Sequence, residues 1–361
     1  MHNKKNSFSY KLRGILIFLA FTAILSIARS QTPGYYIDIS KKYLRNQEYV
    51  QALQFLNQAI QIVPLTPELY LLRGFTKYSL DDYYGAEQDY TISLSIFPYN
   101  PDVLINRAIV RTQQQNYPGA LEDLSSAAKI DTTSSEIYFY LARIKLILKK
   151  YYACINDCNK ALQLKSPNEN IYILRGSSEM GLERFDLAMA DFRKAMELNP
   201  SNTYSYLQAG TMYMDHNKPD SAISFFDEAI KVDSINNYAL FSRSLARVKL
   251  NDRDGAIQDL DKVIRLSPYN SYAYFNRAIL YNEKKDWKSA IRDFDYVIRL
   301  NPKNLVSFYY RGLLKSEIKD YHGAIADFDK ALELLPEYPD GYYARSMAKR
   351  KINDPTAAKD Y

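Results

Sequence analysis

Alanine returns every 34 residues along this chain, at Ala52, Ala86, Ala120, Ala188, Ala222, Ala256, Ala290, Ala324 and Ala358, with Cys154 at the missing step. This period constrains the fold more tightly than any composition, because so short a unit cannot bury its own apolar face and must stack on its neighbours. The 361 residues, 47% of them apolar, therefore read as one elongated array rather than two or three ordinary domains.

With the recurrent alanine as position 20, the first repeat starts at Pro33 and the others at 67, 101, 135, 169, 203, 237, 271, 305 and 339, with no insertion. Position 8 is small in every repeat (Ser40, Gly74, Ala108, Ala142, Gly176, Gly210, Ser244, Ala278, Gly312, Ser346), and position 27 runs from Ala59 and Ser93 to Val297 and Ala331. Positions 20 and 27 lie two helical turns apart, so they share one face of a second helix and let a first helix come close. Polar residues at positions 14 to 16, such as Gln47-Glu48 and Lys284-Lys285-Asp286, suit a tight turn between antiparallel helices. Proline at position 32 (Pro64, Pro98, Pro200, Pro268, Pro302, Pro336) stops the second helix. The pattern predicts an all-α solenoid of helical hairpins. Bulky residues at position 4 (Tyr36, Tyr70, Tyr274) and position 24 (Tyr90, Phe226, Phe328) fill the space that small ones leave, and Trp287 takes an aromatic slot at position 17.

Comparing repeats exposes a polar pattern. Position 7 is Arg73, Arg107, Arg175, Arg243, Arg277, Arg311 and Arg345, and position 23 is Asp89, Asp123, Asp157, Asp191, Asp259, Asp293 and Asp327. Six repeats hold both, which predicts structural ion pairs Arg73 with Asp89, Arg107 with Asp123, Arg175 with Asp191, Arg243 with Asp259, Arg277 with Asp293 and Arg311 with Asp327. Asp157 lacks its arginine because position 7 there is Leu141, and Arg345 has Tyr361 at position 23.

The net charge of +6 sits at the front of the chain. Residues 1 to 30 hold Lys4, Lys5, Lys11, Arg13 and Arg29 with no acid, leaving 42 basic against 41 acidic residues beyond them. That balance removes the charge argument for nucleic acid as a partner. The same stretch has a basic start, an apolar run from Gly14 to Ala28 and Ala28-Arg29-Ser30, the layout of a secretory signal peptide cut after Ser30. An uncleaved N-terminal anchor is the other reading, and the run falls short of the roughly 20 residues a membrane span needs. Residues 31–361 then form the repeat domain, with nine complete repeats and a tenth from Pro339 that is cut off in its second helix. Cys154 and Cys158, one helical turn apart, read as small buried packing residues rather than a disulfide, metal or redox pair.

An aromatic at 4, small residues at 8, 20 and 27, a bulky residue at 24 and Pro at 32 resemble the tetratricopeptide repeat family over Pro33 to Tyr361. The resemblance implies a right-handed superhelix whose first helices line a concave groove for peptide segments through positions 2, 5, 9 and 12. Transferred to this chain, the candidate groove residues are Phe139, Ile173, Tyr204, Leu207, Tyr238, Phe241, Tyr272, Phe275, Tyr309 and Tyr343. Position 5 lacks the lysine of members that clamp a terminal carboxylate.

Chemistry finds no foothold in the sequence. His2 lies in the leader, His216 and His322 are far apart, and no phosphate loop, nucleophile elbow, metal spacing or cofactor motif appears. The sequence therefore predicts a non-enzymatic, exported scaffold, most simply periplasmic, that binds segments of envelope proteins. Two other readings stand beside it: a structural subunit of a larger envelope assembly, and the docking arm of a longer protein with an effector domain.

Overall fold

The computed structural model describes residues 32–164 and 168–360, so the leader expected over residues 1 to 30 lies outside the described residues. The helices group into two compact units, one ending at Leu182 and one running from Glu183. The first unit holds α1 (Pro33–Arg45), α2 (Tyr49–Ile62), α3 (Pro67–Ser79), α4 (Tyr83–Ile96), α5 (Pro101–Gln113), α6 (Tyr117–Ile130), α7 (Ser135–Ile147), α8 (Tyr151–Leu164) and α9 (Glu169–Gly181). The second holds α10 (Phe185–Leu198), α11 (Thr203–Asp215), α12 (Pro219–Val232), α13 (Asn237–Lys249), α14 (Arg253–Leu266), α15 (Ser271–Glu283), α16 (Trp287–Leu300), α17 (Leu305–Glu317), α18 (Tyr321–Leu334) and α19 (Pro339–Lys351). A short 3-10 helix, Pro355–Asp360, follows α19. Within each unit every helix packs on the next along the chain, which makes an α-solenoid of helix pairs.

The small residues do what their spacing predicts. Position 20 is fully buried from Ala52 to Ala324, with Cys154 and Cys158 equally buried and unbridged. Where position 24 is aromatic, position 8 tends to lose its side chain altogether. A methyl group added to Gly210 would meet Phe226 at 2.4 Å, and one on Gly312 would meet Phe328 at 2.6 Å. Leu56, Leu124 and Leu260 at position 24 face repeats whose position 8 is Ser40, Ala108 and Ser244, so volume is balanced repeat by repeat.

The turns hold a feature that carries no glycine. Position 15 is left-handed in all ten repeats, from Gln47 (φ 61°) through Lys149 (φ 54°) to Asn353 (φ 57°), and none of the ten is glycine. The next residue's N–H donates back to the position 11 carbonyl, as Glu48 does to Tyr43 at 2.9 Å and Asp286 to Tyr281 at 2.8 Å. These are Schellman closures, which satisfy carbonyls that the helix end leaves open. Asp82, Asp252 and Asp320 at position 16 then cap the second helix by accepting from the N–H three residues on.

The tenth repeat departs from the expected α-helix. Its second segment is a 3-10 helix starting at Pro355, and Ala357 rather than Ala358 is buried. A 3-10 helix rises about 2.0 Å per residue against about 1.5 Å in an α-helix, so the chain covers the same path with fewer residues. Asp360 reaches the place that position 23 holds elsewhere, one residue early.

Candidate functional site

Two sets of side chains distinguish the helix faces: an ion-pair ladder between helices, and an aromatic face on the first helices of the second unit.

In the ladder Arg73, Arg107, Arg243, Arg277 and Arg311 at position 7 each fork onto the position 23 aspartate of their own repeat. Arg73 donates from Nε and Nη2 to both oxygens of Asp89 at 2.8 and 2.6 Å, and Arg277 does the same to Asp293 at 2.7 and 2.6 Å. Arg107 with Asp123, Arg243 with Asp259 and Arg311 with Asp327 repeat the geometry. Arg175, in the first unit, donates to Asn159 at 2.6 Å, and Asp191, in the second, is buried. Arg345, for which the sequence offers no partner, forks onto Asp360 at 2.9 and 2.5 Å through the shortened 3-10 segment.

Two further partners escape a reading confined to positions 7 and 23. Position 11 adds a second cation to the same carboxylate: Lys77 to Asp89 at 2.8 Å, Arg111 to Asp123 at 2.9 Å, Lys315 to Asp327 at 2.9 Å and Lys349 to Asp360 at 2.9 Å. Lys145 is the cation that Asp157 lacks at Leu141, bonding it at 2.5 Å. The third arginine nitrogen crosses to position 25 of the preceding repeat, which is Asn57 or Thr91 in the first unit and Asp227, Asp261, Asp295 or Asp329 in the second. Both signals were present in the sequence as periodic columns.

Burial and the bonded cations act in opposite directions on these carboxylates. Asp157, beside Lys145 alone, and Asp293, bonded by Arg277 alone, are pushed up by burial. At Asp360 burial also pushes up, but hydrogen bonds from Arg345 and Lys349 outweigh it and hold the carboxyl below its usual range.

The aromatic face belongs to the second unit. Position 2 projects outward in both units, yet it reads Gly34, Glu68, Asp102, Glu136 and Asn170 in the first and Tyr204, Tyr238, Tyr272, Val306 and Asp340 in the second. Tyr238 and Tyr272 are 79% and 75% exposed, and Tyr204 is half exposed. Partial burial and the neighbouring Tyr238 phenol push the Tyr204 hydroxyl up, so Tyr204 stays a neutral donor. Position 5 behaves differently. Leu207, Phe241, Phe275 and Tyr309 are half-buried, with Phe275 edge-on to Phe294 at 5.6 Å and to Tyr310 at 6.3 Å. Only Tyr343 stands out from this row.

Two first-unit candidates fare less well. Phe139 is half-buried against the core around Cys154 and Cys158. Ile173 is 3% exposed, a correction to its place among open groove residues, because a β-branched aliphatic chain at position 5 fits wholly into the interior.

At α17, α18 and α19 the expected positions 5 and 9 converge. Tyr309, Leu313, Tyr343 and Met347 line a cavity of about 450 Å³ with Lys319 and Lys351 among its polar groups. Among the described residues no group of His, Cys, Asp and Glu could hold a metal ion, and no helix is long and apolar enough to cross a membrane.

The repeat geometry agrees with comparisons to known proteins. Profiles of the tetratricopeptide repeat match residues 169–202, 203–236 and 241–304. A tetratricopeptide repeat protein from Parabacteroides merdae is similar in structure at TM-score 0.58 and 17% identity, over 70% of this chain and 97% of its own. The C-terminal part of a repeat-containing protein from Cytophaga hutchinsonii gives TM-score 0.58 at 18% identity, over 66% of this chain and 98% of its own. No curated relative matches the chain. With the helical hairpin, its small-residue columns and its left-handed turn recurring alongside these matches, residues 169–236 and 241–304 are tetratricopeptide repeats and the described helices have the fold of tetratricopeptide repeat proteins.

Proposed function

We propose that the second unit takes uncharged, apolar peptide segments of partner proteins across the first-helix face marked by Tyr204, Tyr238 and Tyr272. Tetratricopeptide repeats support the broader role, a protein–protein interaction scaffold. The observation that carries the finer reading is the exposure of Tyr238 and Tyr272 beside a half-buried aromatic wall of Phe241, Phe275 and Tyr309. Tyrosine pairs a large apolar ring with one polar tip and loses little conformational freedom on binding, which makes it a common anchor. Positions 2, 5, 9 and 12 of this unit hold only Asp340 and Arg350 as charged groups, so an apolar partner meets little charge to desolvate. The leader expected at residues 1 to 30 places this activity in the cell envelope, with the periplasm the simplest compartment.

The first unit favours a second contact mode. Its second helices expose Val50, Tyr84 and Tyr152 at position 18, whereas the second unit has Asp186, Asp220, Asp254, Lys288 and His322 there. That surface suits a fixed neighbour in an assembly rather than a captured peptide.

Peptides selected on the whole chain from a random display library test the reading. Selected apolar peptides are expected to lose at least tenfold in affinity with Tyr238→Ala/Tyr272→Ala and to keep it with Tyr84→Ala/Tyr152→Ala; the reverse ranking would move the site to the first unit.

A further inference from the structure

The eighth repeat breaks the ladder in a way that makes a pocket. A cavity of about 400 Å³ lies between α14, α15 and α16, away from the aromatic face, and includes Arg265, Arg277, Tyr281, Arg292 and Tyr296 in its lining. Its floor is closed to a ligand, since Arg277 spends all three nitrogens on Asp293 and Asp261, a trio that keeps one net negative charge. Its rim is not. Among the described residues Arg265 and Arg292 make no ion pair, and the one hydrogen bond from Arg292 goes to Ser289 Oγ at 3.0 Å. Three guanidinium groups against two carboxylates leave the cavity one positive charge in excess.

The other repeats serve as internal controls. Position 11 is Lys or Arg in six of them, bonding the position 23 aspartate in five and Asp360 in the tenth, but it is Tyr281 here. Position 22 is arginine here alone, against Gln54, Gln88, Glu122, Asn156, Ala190, Ser224, Gln258, Ala326 and Asp360 elsewhere. The eighth repeat has thus moved a cation from the buried carboxylate to the cavity rim. Arg292 does not simply replace the missing partner, because it forms no bond to Asp293, and that carboxyl stays pushed up by burial. Tyr281 is itself pushed up by burial and remains a neutral O–H.

We propose that this cavity binds a single oxyanion, a carboxylate or a phosphate group, clamped by Arg265 and Arg292 with the Tyr281 hydroxyl as a further donor. Guanidinium groups match planar carboxylates and phosphate oxygens geometrically, and a part-enclosed site screens them less than open surface does. The site shares no residue with the tyrosine face, so either can fail without the other.

Equilibrium dialysis of the whole chain against inorganic phosphate, and separately against acetate, decides the matter at fixed ionic strength. One saturable site is expected for at least one anion, and the tighter of the two names the chemical class. Arg265→Gln/Arg292→Gln is expected to lose at least tenfold in affinity while melting as the parent does. Lys231→Gln, which changes an exposed cation at the position Arg265 occupies one repeat later, is expected to bind as the parent does. Should the double variant melt early, Arg265→Gln alone carries the test through the same loss. No saturable uptake by the parent, or equal uptake by parent and variants, overturns the proposal.

Discussion

The two units share an interior and differ where the interior makes no demand. In both, small residues at positions 8, 20 and 27 are buried, and the arginine fork onto the buried aspartate has the same geometry from Arg73 and Asp89 to Arg311 and Asp327. At position 25 the first unit offers Asn57, Thr91 and Asn159 to the arginine, and the second offers Asp227, Asp261, Asp295 and Asp329. At position 2 acids and neutral residues give way to tyrosines, and at position 18 exposed aromatics give way to charge. A repeat protein therefore diverges by exchanging surface columns over a constant hairpin, which is how one fold presents different partners with different faces.

The largest expected effect tests the shared interior. Asp123→Ala in the first unit and Asp327→Ala in the second each strand two cations at a buried site, and each is expected to cost about 3–5 kcal/mol in denaturant unfolding. A loss below about 1 kcal/mol in either would show that its carboxylate is solvated after all. Next come the turns. Lys149→Gly and Lys285→Gly relieve the left-handed backbone in the two units alike, and a gain of about 1 kcal/mol is expected from each.

The difference between the units is sharpened by Asp227→Asn and Asn57→Ala. Asp227 is half-exposed, so its pair with Arg243 contributes about 0–1 kcal/mol and fades with added salt, while the Asn57 contact responds little to salt. Equal salt response of the two variants would erase that distinction. The smallest effect is in pH. Asp293 binds its proton more tightly folded than unfolded, so the parent gains stability relative to Asp293→Asn as pH falls through the carboxylate range. Asp360 has the opposite shift, and its stabilising contact, present above the unfolded carboxylate range, is lost as pH falls, so the parent loses ground to Asp360→Asn. Unfolding each pair at neutral and at acid pH checks both signs.

Much of this fold was legible because ten copies of one unit act as their own alignment. The columns of Ala52 and Leu56 give the buried face, and the joint occurrence of Arg277 and Asp293 gives the fork. What stayed hidden has physical reasons. The left-handed turn at Gln115 or Lys149 leaves no glycine to announce it, since hydrogen bonds of the closure hold an ordinary residue there. The register shift before Asp360 is masked by two adjacent alanines, either of which fits the buried slot. Positions 2 and 5 look alike on a helical wheel, but Phe294 and Tyr310 close over Phe275 and leave Tyr272 in solvent, a fact that belongs to neighbouring helices.

The binding face is tested most directly by measuring a display-selected apolar peptide against the parent chain and Tyr238→Ala/Tyr272→Ala, with helicity and melting followed on the same samples. At least a tenfold loss of affinity with an unchanged melting curve is the expected result. Retained affinity in the double variant would contradict the assignment of the tyrosine face as the partner site of the second unit.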